Sequence, residues 1–291
     1  MNSDVVALIV PDGLGGGVGN VEALHTLVDG RRPAERFVLD MRRVDFVKPY
    51  GVVALLLAAR RLVGLSGRRV ELANVDRQVR SYLERMNLFE VCGDWVSPAE
   101  VLEESWDRNP QTPNLLELTA IEGPQNVVRA ITKAERVFSR WLDVPDLSDL
   151  LRVLSELCAN VHQHSGDPLG CVMIQKYEEG SSGRAVVCVA VGDLGCGLRA
   201  SLSARHGEIA HDPLDYLRAA MSGRTSRASG RGGLGLRTVE EVAKGAGGRL
   251  WLRSETAAVV SRASGKPRGQ QGLRHVPGTQ VAVDLRSPQP G

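Results

Sequence analysis

Three polar residues recur at a spacing of four near the middle of the chain: Glu156, Asn160 and His164. On an α-helix this spacing places them on one face, about one turn apart. A carboxylate and an amide arranged in this way can share a magnesium-bound polyphosphate, because the amide oxygen can ligate the metal while the carboxylate orients or deprotonates a nucleophile. The pattern is equally typical of the solvent-exposed side of an amphipathic helix, so this helix alone leaves both interpretations open.

An aspartate and two glycines follow a strongly apolar run farther along the chain. Residues 185–191 are apolar enough to predict a buried strand, and the stretch V-G-D-L-G-C-G begins at its last residue. Asp193 at the end of such a strand can accept a hydrogen bond from an exocyclic amine, while Gly195 and Gly197 let the backbone approach a flat ring. Aspartate and glycine also form ordinary turns, so this motif by itself is a weak signal.

A glycine-rich stretch, S-G-R-G-G-L-G-L at 229–236, runs directly into an apolar helical pattern through Val239, Val242 and Ala243. Free backbone amides and the positive end of the following helix suit a phosphate chain. A flexible linker is the alternative interpretation, and the helix that follows at once disfavours it.

In their order and spacing, the three stretches resemble the N, G1 and G2 boxes of the GHKL ATPase superfamily, which includes gyrase-type, mismatch-repair and histidine-kinase ATP-binding domains. The carboxyl-terminal part of the chain supports the same resemblance, because residues 248–254 resemble the strand after the G2 helix and residues 278–283 resemble the final strand of that superfamily. The resemblance covers residues 115–287. It implies ATP and Mg²⁺ as cofactors and a Bergerat-type α/β sandwich, with helices on one face of a mixed sheet.

The resemblance also implies a role for each matching residue. Glu156 would be the catalytic base and Asn160 the magnesium ligand. Asp193 would anchor the adenine. The other residues implied to contact the nucleotide are Gly195 and Gly197 beside the adenine, Gly233, Leu234, Gly235 and Leu236 along the phosphates, and Thr279, whose hydroxyl would support the adenine. His164 is interpreted either as a residue that orients its neighbours or as a solvated histidine at a helix end.

The first 95 residues predict a separate α/β layer of parallel strands. Residues 37–40 and 70–73 are predicted as short strands, residues 52–63 as a helix that ends at Gly64, and residues 75–86 as a further helical stretch. This pattern resembles the STAS domain of anti-sigma-factor antagonists, in which a D-S-S-G turn carries the serine that a GHKL kinase phosphorylates. The predicted organisation is a STAS-like domain at 1–95, a linker at 96–114 and a GHKL domain at 115–287.

The turn that corresponds to D-S-S-G is Lys48-Pro49-Tyr50-Gly51. Pro49 occupies the position of the acceptor serine and has no hydroxyl, so the family's phosphoswitch does not transfer to this domain. We expect the domain to act as a constitutive docking surface, with Tyr50 and the helix at 52–63 as its contacts.

Composition favours a cytoplasmic protein with two cores. The chain has 291 residues, of which 43% are apolar. No apolar run approaches the length of a bilayer span and no signal peptide is evident, which predicts no membrane contact. The five cysteines form no C-x-x-C pair, so all of them, Cys196 included, are expected to be reduced and buried.

Charge is unevenly distributed along the chain. From Ser222 to the end there are twelve Lys and Arg against four Asp and Glu, whereas the preceding residues hold twenty-four against thirty. A basic segment around a glycine-rich stretch suits a polyphosphate and could equally contact an acidic partner. Residues 261–275 are predicted as a solvated loop. Nucleic-acid binding is disfavoured, because aromatic residues make up only 4% of the chain and no stacking platform is evident.

The domain content predicts an ATP-binding regulatory protein: a serine/threonine kinase of the anti-sigma type in a partner-switching pathway, acting on a STAS antagonist, a sigma factor or another regulator. Two alternatives would use the same pocket. One is a non-catalytic, ATP-gated protein-binding switch, and the other is a GHKL ATPase without protein kinase activity that forms a homodimer through its amino-terminal region. A two-component histidine kinase is disfavoured, because the helix predicted at 125–141 contains no histidine.

Overall fold

A computed structural model describes residues 5–15, 18–99, 115–179, 184–223 and 234–286. The chain divides into two units, Met1–Thr112 and Pro113–Gly291. The polar motifs identified above all belong to the second unit.

The first unit contains a four-stranded sheet in the order β1-β2-β3-β4, in which every neighbouring pair is parallel. Its strands are β1 Val5–Ile9, β2 Arg36–Asp40, β3 Val70–Ala73 and β4 Val96–Pro98, and its helices are α1 Val18–Val28, α2 Pro49–Ser66, α3 Arg77–Arg85 and α4 Leu88–Val91. This sheet confirms the predicted layer of parallel strands. Strand β4 takes up the first residues of the stretch predicted as a linker, most of which lies outside the described residues.

Helix α2 forms the buried centre of the first unit. Pro49 stands in its first turn, where the missing N–H leaves no hydrogen bond unmade. Gly67 follows the helix in a left-handed conformation with φ 66°, which a glycine adopts without strain. The predicted end at Gly64 is therefore wrong, because that glycine lies inside the helix. Residues 52–59 are all 0% exposed, and the helix contacts α1, β2 and β3.

The burial of α2 corrects two further predictions. The sequence predicts Tyr50 and residues 52–63 as partner contacts, but Tyr50 is 8% exposed and most of the helix is in the core, so neither can form a docking surface. The sequence also predicts no run of membrane-spanning length. Among the described residues, α2 does reach that length and hydropathy, with 18 residues and a mean hydropathy of 1.3, and 67% of it is buried inside the protein, as in a core helix.

The second unit contains a seven-stranded sheet in the order β10-β9-β8-β11-β7-β6-β5. Its strands are β5 Leu115–Ile121, β6 Gly170–Glu179, β7 Arg184–Gly192, β8 Arg249–Glu255, β9 Ala257–Arg262, β10 Arg268–Gln270 and β11 Val276–Arg286. Its helices are α5 Pro124–Phe138, α6 Val144–Asn160, α7 Gly197–His206, α8 Pro213–Met221 and α9 Gly235–Gly245. A π-turn, Val161–Ser165, continues α6.

The mixed sheet predicted for this unit is wrong, because each neighbouring strand pair in the described residues is antiparallel. Strands β7 and β8 run in the same direction but are not neighbours. The last strand, β11, lies between them and is antiparallel to both.

One face of this sheet carries the helices, as the sequence predicts. Alternate residues of β7, namely Val187, Val189 and Val191, share one apolar cluster with side chains from α5, α6, α7, α8 and α9. Alternation along a strand directs every second side chain to the same face, so this cluster fixes the face that the helices cover. Strand β7 is buried from Val186 to Gly192, which confirms the predicted buried strand.

Candidate functional site

The second unit contains a cleft that encloses about 810 Å³, part of it open to solvent. The α6 helix, the π-turn, the ends of β7 and β11, helices α7 and α8, and the start of α9 all contribute to its walls. The residues singled out in the sequence that line it are Glu156, Asn160, His164, Asp193, Gly197, Gly235, Leu236 and Thr279. Much of the remaining wall is apolar, with Val161, Leu198 and Val281 among its residues. Residues more than a hundred positions apart therefore meet in one place.

Two predicted nucleotide contacts, Leu234 and Gly195, do not line the cleft, and a third lies outside the described residues. Gly233 lies outside them, as does the rest of the chain from 224 to 233. Leu234 precedes α9 and is 57% exposed. Gly195 packs against Ser165 of the π-turn.

Helix α6 carries Glu156 and Asn160 into the cleft. Its start is fixed by Asp143, whose Oδ1 accepts a hydrogen bond from the backbone N–H of Asp146 at 2.9 Å. After Asn160 the backbone continues as a π-turn rather than as the regular helix that the sequence predicts. His164 nevertheless lines the same cleft as the two residues before it. Single π-turns of this kind occur frequently at functional sites.

Glu156 faces the beginning of helix α9. A β-carbon placed on Gly235 would lie 2.4 Å from Glu156 Oε2, so a larger residue there would displace the carboxylate from its present position. The first residues of α9 bring backbone N–H groups and the positive end of the helix dipole to this end of the cleft. The arrangement places a carboxylate beside a surface suited to phosphate groups.

Asp193 is 3% exposed and is held by backbone groups. Its Oδ1 accepts hydrogen bonds from the N–H groups of Gly195 at 2.8 Å and of Thr279 at 3.3 Å, and its own N–H donates to the carbonyl of Thr279 at 3.1 Å. Gly278, with φ 78°, lets β11 approach, because a β-carbon there would lie 2.5 Å from Asp193 Oδ1. These contacts fix the orientation of the carboxylate in the cleft wall.

The turn after Asp193 is attached to the π-turn. A β-carbon on Gly195 would lie 2.0 Å from the carbonyl oxygen of Ser165, and the N–H of Cys196 donates to that same oxygen at 2.7 Å. The predicted burial of Cys196 is wrong, because its side chain is exposed. Partial desolvation, followed by the negative charge of Asp193, raises the pKa of the Cys196 thiol.

Two residues that sequence reasoning missed hold this turn in place. Asp167 accepts hydrogen bonds from the N–H of Leu194 at 2.7 Å and of Leu169 at 3.1 Å. Ser254 is 1% exposed, and its hydroxyl accepts from the N–H of Leu198 at 3.0 Å and donates to the carbonyl of Gly278 at 2.9 Å. The S-G-D-P turn around Asp167 is a sequence signal for side-chain-to-backbone bonding that could have identified it. Ser254, which lies near the end of β8 and two residues after its last leucine, is a weaker signal.

The residues present fit a nucleotide-bound magnesium ion better than a metal site built from protein ligands alone. Within the described residues, no group of three or more His, Cys, Asp or Glu side chains could hold a metal. Mg²⁺ bound to a nucleotide needs only one or two protein ligands, because phosphates and water supply the rest. The amide oxygen of Asn160, on the cleft wall, can supply that single ligand.

Comparison with known proteins finds one family model that matches part of the second unit. Residues 145–288 match the family model described as histidine kinase-, DNA gyrase B-, and HSP90-like ATPase. No curated protein matches the chain significantly. The matched segment begins with α6 and ends after β11, so it contains every wall of the cleft, whereas the first unit, β5 and α5 lie outside it. Together with the helix-covered sheet and the cleft, the match supports a GHKL-type ATPase domain, with a site for ATP, at residues 145–288.

Proposed function

We propose that the cleft binds ATP with Mg²⁺ and that the protein is a regulatory serine/threonine kinase of the anti-sigma type, acting with a protein partner in the cytoplasm. The observation that carries the proposal is that Glu156, Asn160 and Asp193 line one cleft although they come from α6 and from the end of β7. The family match supports the nucleotide. The chemistry is inferred from the carboxylate and the amide on α6.

Asp193 is proposed as the adenine anchor. A carboxylate has about four lone-pair positions, so one that accepts two backbone N–H groups can also accept the exocyclic amine of adenine. Gly195 and Gly197 let the chain turn sharply beside the ring, and Gly197 does so with φ 74°. Thr279 lies on the same wall and would contribute its hydroxyl.

The phosphate chain is proposed to run toward the start of α9. The N–H groups of Gly235 and Leu236, with Gly233 and Leu234 before them, would bind the phosphates at the positive end of the helix. Asn160 would hold the magnesium ion. The ion, when bound with ATP, would neutralise the charge that develops on the transferred phosphoryl group.

Glu156 is proposed as the catalytic base. It would accept the proton of a serine or threonine hydroxyl as that oxygen attacks the γ-phosphate. The first unit is proposed as a STAS-like module that is not itself the substrate, because Pro49 replaces the acceptor serine and Tyr50 is 8% exposed. The substrate hydroxyl would therefore come from another protein.

The experiment is a transfer assay with γ-labelled ATP and Mg²⁺, with and without purified STAS proteins. We expect the Glu156→Ala variant to bind ATP within about threefold of wild type and to lose at least about a hundredfold in turnover, because a base acts on the transition state rather than on bound ATP. Ser155→Ala, on the exposed side of the same helix, is the matched control and should keep full turnover.

Each outcome distinguishes among the three functions. Label on a partner protein supports the kinase, and release of phosphate without a labelled protein identifies an ATPase. Binding of ATP with neither product identifies a non-catalytic switch. Normal turnover by Glu156→Ala would show that Glu156 is only part of the polar face of α6.

A further inference from the structure

A basic β-hairpin forms one edge of the seven-stranded sheet. Strands β9 and β10 pair antiparallel, with Val260 opposite Arg268, and β10 is the outermost strand. We call residues 257–270 the basic hairpin. The predicted solvated loop at 261–275 is thus partly ordered as strand, although residues 262–272 are all exposed.

The basic hairpin presents three exposed positive charges. Arg262, Lys266 and Arg268 are exposed, and none of them forms an ion pair within the described residues. No Asp or Glu occurs anywhere between 256 and 283. On the nearby helices, by contrast, Arg218 pairs with Asp215 at 3.0 Å and Lys244 pairs with Glu240 at 2.6 Å.

The hairpin is anchored to the rest of the unit. Gly269 packs so closely on helix α8 that a β-carbon there would lie 2.5 Å from Leu214 Cδ2. Gln271 donates a side-chain hydrogen bond to Asp212, the residue that caps α8. The N–H of Ala263 donates to the carbonyl of Gly248 at 3.1 Å. A surface held in this way requires little ordering when a partner binds, which lowers the entropic cost of association.

The edge of the sheet here is poorly suited to pairing with another strand. Strand β10 has only three residues, and Lys266 and Pro267 directly precede it. Short length, lysine and proline are the features that block strand addition at an edge. A partner would therefore contact the side chains of the hairpin rather than its backbone.

We propose that the basic hairpin is a docking surface for an acidic segment of a protein partner. Charge complementarity indicates this partner, because three exposed cations that form no ion pair among the described residues lie on an anchored hairpin and attract clustered carboxylates. A nucleic acid fits less well. Residues 256–283 contain no Phe, Tyr or Trp side chain on which a base could stack, and three cations would neutralise few phosphates. The proposal does not require the cleft to bind ATP.

The test measures binding of a fluorescent peptide of alternating Glu and Asp residues to the full chain by anisotropy, at low and at physiological ionic strength. Wild type should bind the peptide, with affinity falling as salt increases. The variant that combines Arg262→Glu, Lys266→Glu and Arg268→Glu should bind at least about tenfold more weakly. Circular dichroism and thermal unfolding verify that it folds, and the single variants Lys266→Gln and Arg268→Gln replace it if it does not.

The matched control reverses three exposed charges at and just after helix α5, Arg129→Glu, Arg136→Glu and Arg140→Glu, and changes the net charge equally. This control should lose no more than about twofold in affinity. Equal loss in both triple variants, or no peptide binding by wild type, would overturn the proposal. Tighter binding of an oligothymidylate of the same length than of the peptide would also overturn it, in favour of a nucleic acid. Aggregation of the hairpin variant with unchanged peptide binding would show that the charges only protect the sheet edge.

Discussion

Each unit of this protein contains a buried aspartate at the carboxyl end of a strand, and the two aspartates differ in what surrounds them. Asp40 ends β2 and is 4% exposed, while Asp193 follows β7 and is 3% exposed. The Asp40 carboxylate accepts from Arg42 Nε at 2.7 Å and from Asn74 Nδ2 at 3.0 Å. Asp193 instead accepts from backbone N–H groups and lines a cleft.

This difference shows that burial and position do not by themselves identify a ligand site. The hydrogen bond from Arg42 is the largest cause that lowers the pKa of Asp40 to about 2, so a cation of the same unit already neutralises this carboxylate. Asp193, by contrast, lines the cleft, where backbone amides orient its carboxylate. We therefore interpret Asp40 as a structural residue and Asp193 as a ligand-binding one.

Among substitutions of residues that support the two aspartates and their turns, the largest effect is expected at Gly195. The Gly195→Ala variant must displace either the Asp193 turn or the π-turn, because its β-carbon would lie 2.0 Å from a backbone oxygen of Ser165. We expect the affinity for ATP to fall at least about thirtyfold, an effect of roughly 2 kcal/mol. Binding of inorganic triphosphate with Mg²⁺ should change far less, since the phosphate end of the cleft is built by α6 and α9. Unchanged ATP affinity would mean that the turn does not contact the nucleotide.

A smaller effect, confined to the first unit, is expected from Asp40→Asn. Loss of the charged hydrogen bonds should reduce local stability by about 1–2 kcal/mol. Since the pKa of Asp40 is lowered from 3.8 to about 2, its stabilisation is fully present above pH 3.8 and is lost as the pH falls toward 2. Hydrogen exchange of peptides covering β2 should show both effects. Asp45→Asn, an exposed residue of the following segment, is the control, and weakened ATP binding by Asp40→Asn would contradict the distinction between the two aspartates.

The smallest effect is expected from Asp167→Asn. In Asp167 each carboxylate oxygen accepts one N–H group, Oδ2 from Leu194 and Oδ1 from Leu169. An amide has only one accepting oxygen, so asparagine cannot form both hydrogen bonds in this way. The affinity for ATP should fall about fivefold, by roughly 1 kcal/mol, while triphosphate binding stays the same. Equal losses for both ligands would show that Asp167 supports the fold in general rather than the adenine end of the cleft.

Much of the candidate site could be predicted from the sequence because its motifs are local. The four-residue spacing on α6 identified Glu156 and Asn160, and the position after a buried run identified Asp193. All three residues line one cleft. The helix-covered face of the sheet was implied by the resemblance to the GHKL superfamily. The π-turn could not be predicted, because the same residues have the period of a regular helix.

What the sequence could not predict depends on contacts between distant residues. The position of β11 between β7 and β8 decides that the sheet is antiparallel, and no local pattern encodes that position. Helix α2 continues past Gly64 because Gly67, not Gly64, adopts the left-handed conformation that ends it.

The most direct test of the account is a calorimetric titration of ATP with Mg²⁺ into wild type, Asp193→Ala and Asp40→Asn. Wild type is predicted to bind ATP, and Asp40→Asn is predicted to bind it like wild type. Asp193→Ala is predicted to bind ATP about 5- to 150-fold more weakly, because it loses a polar adenine contact worth about 1–3 kcal/mol. Wild-type affinity in Asp193→Ala, or equal losses in both variants, would contradict the claim that Asp193 anchors the nucleotide.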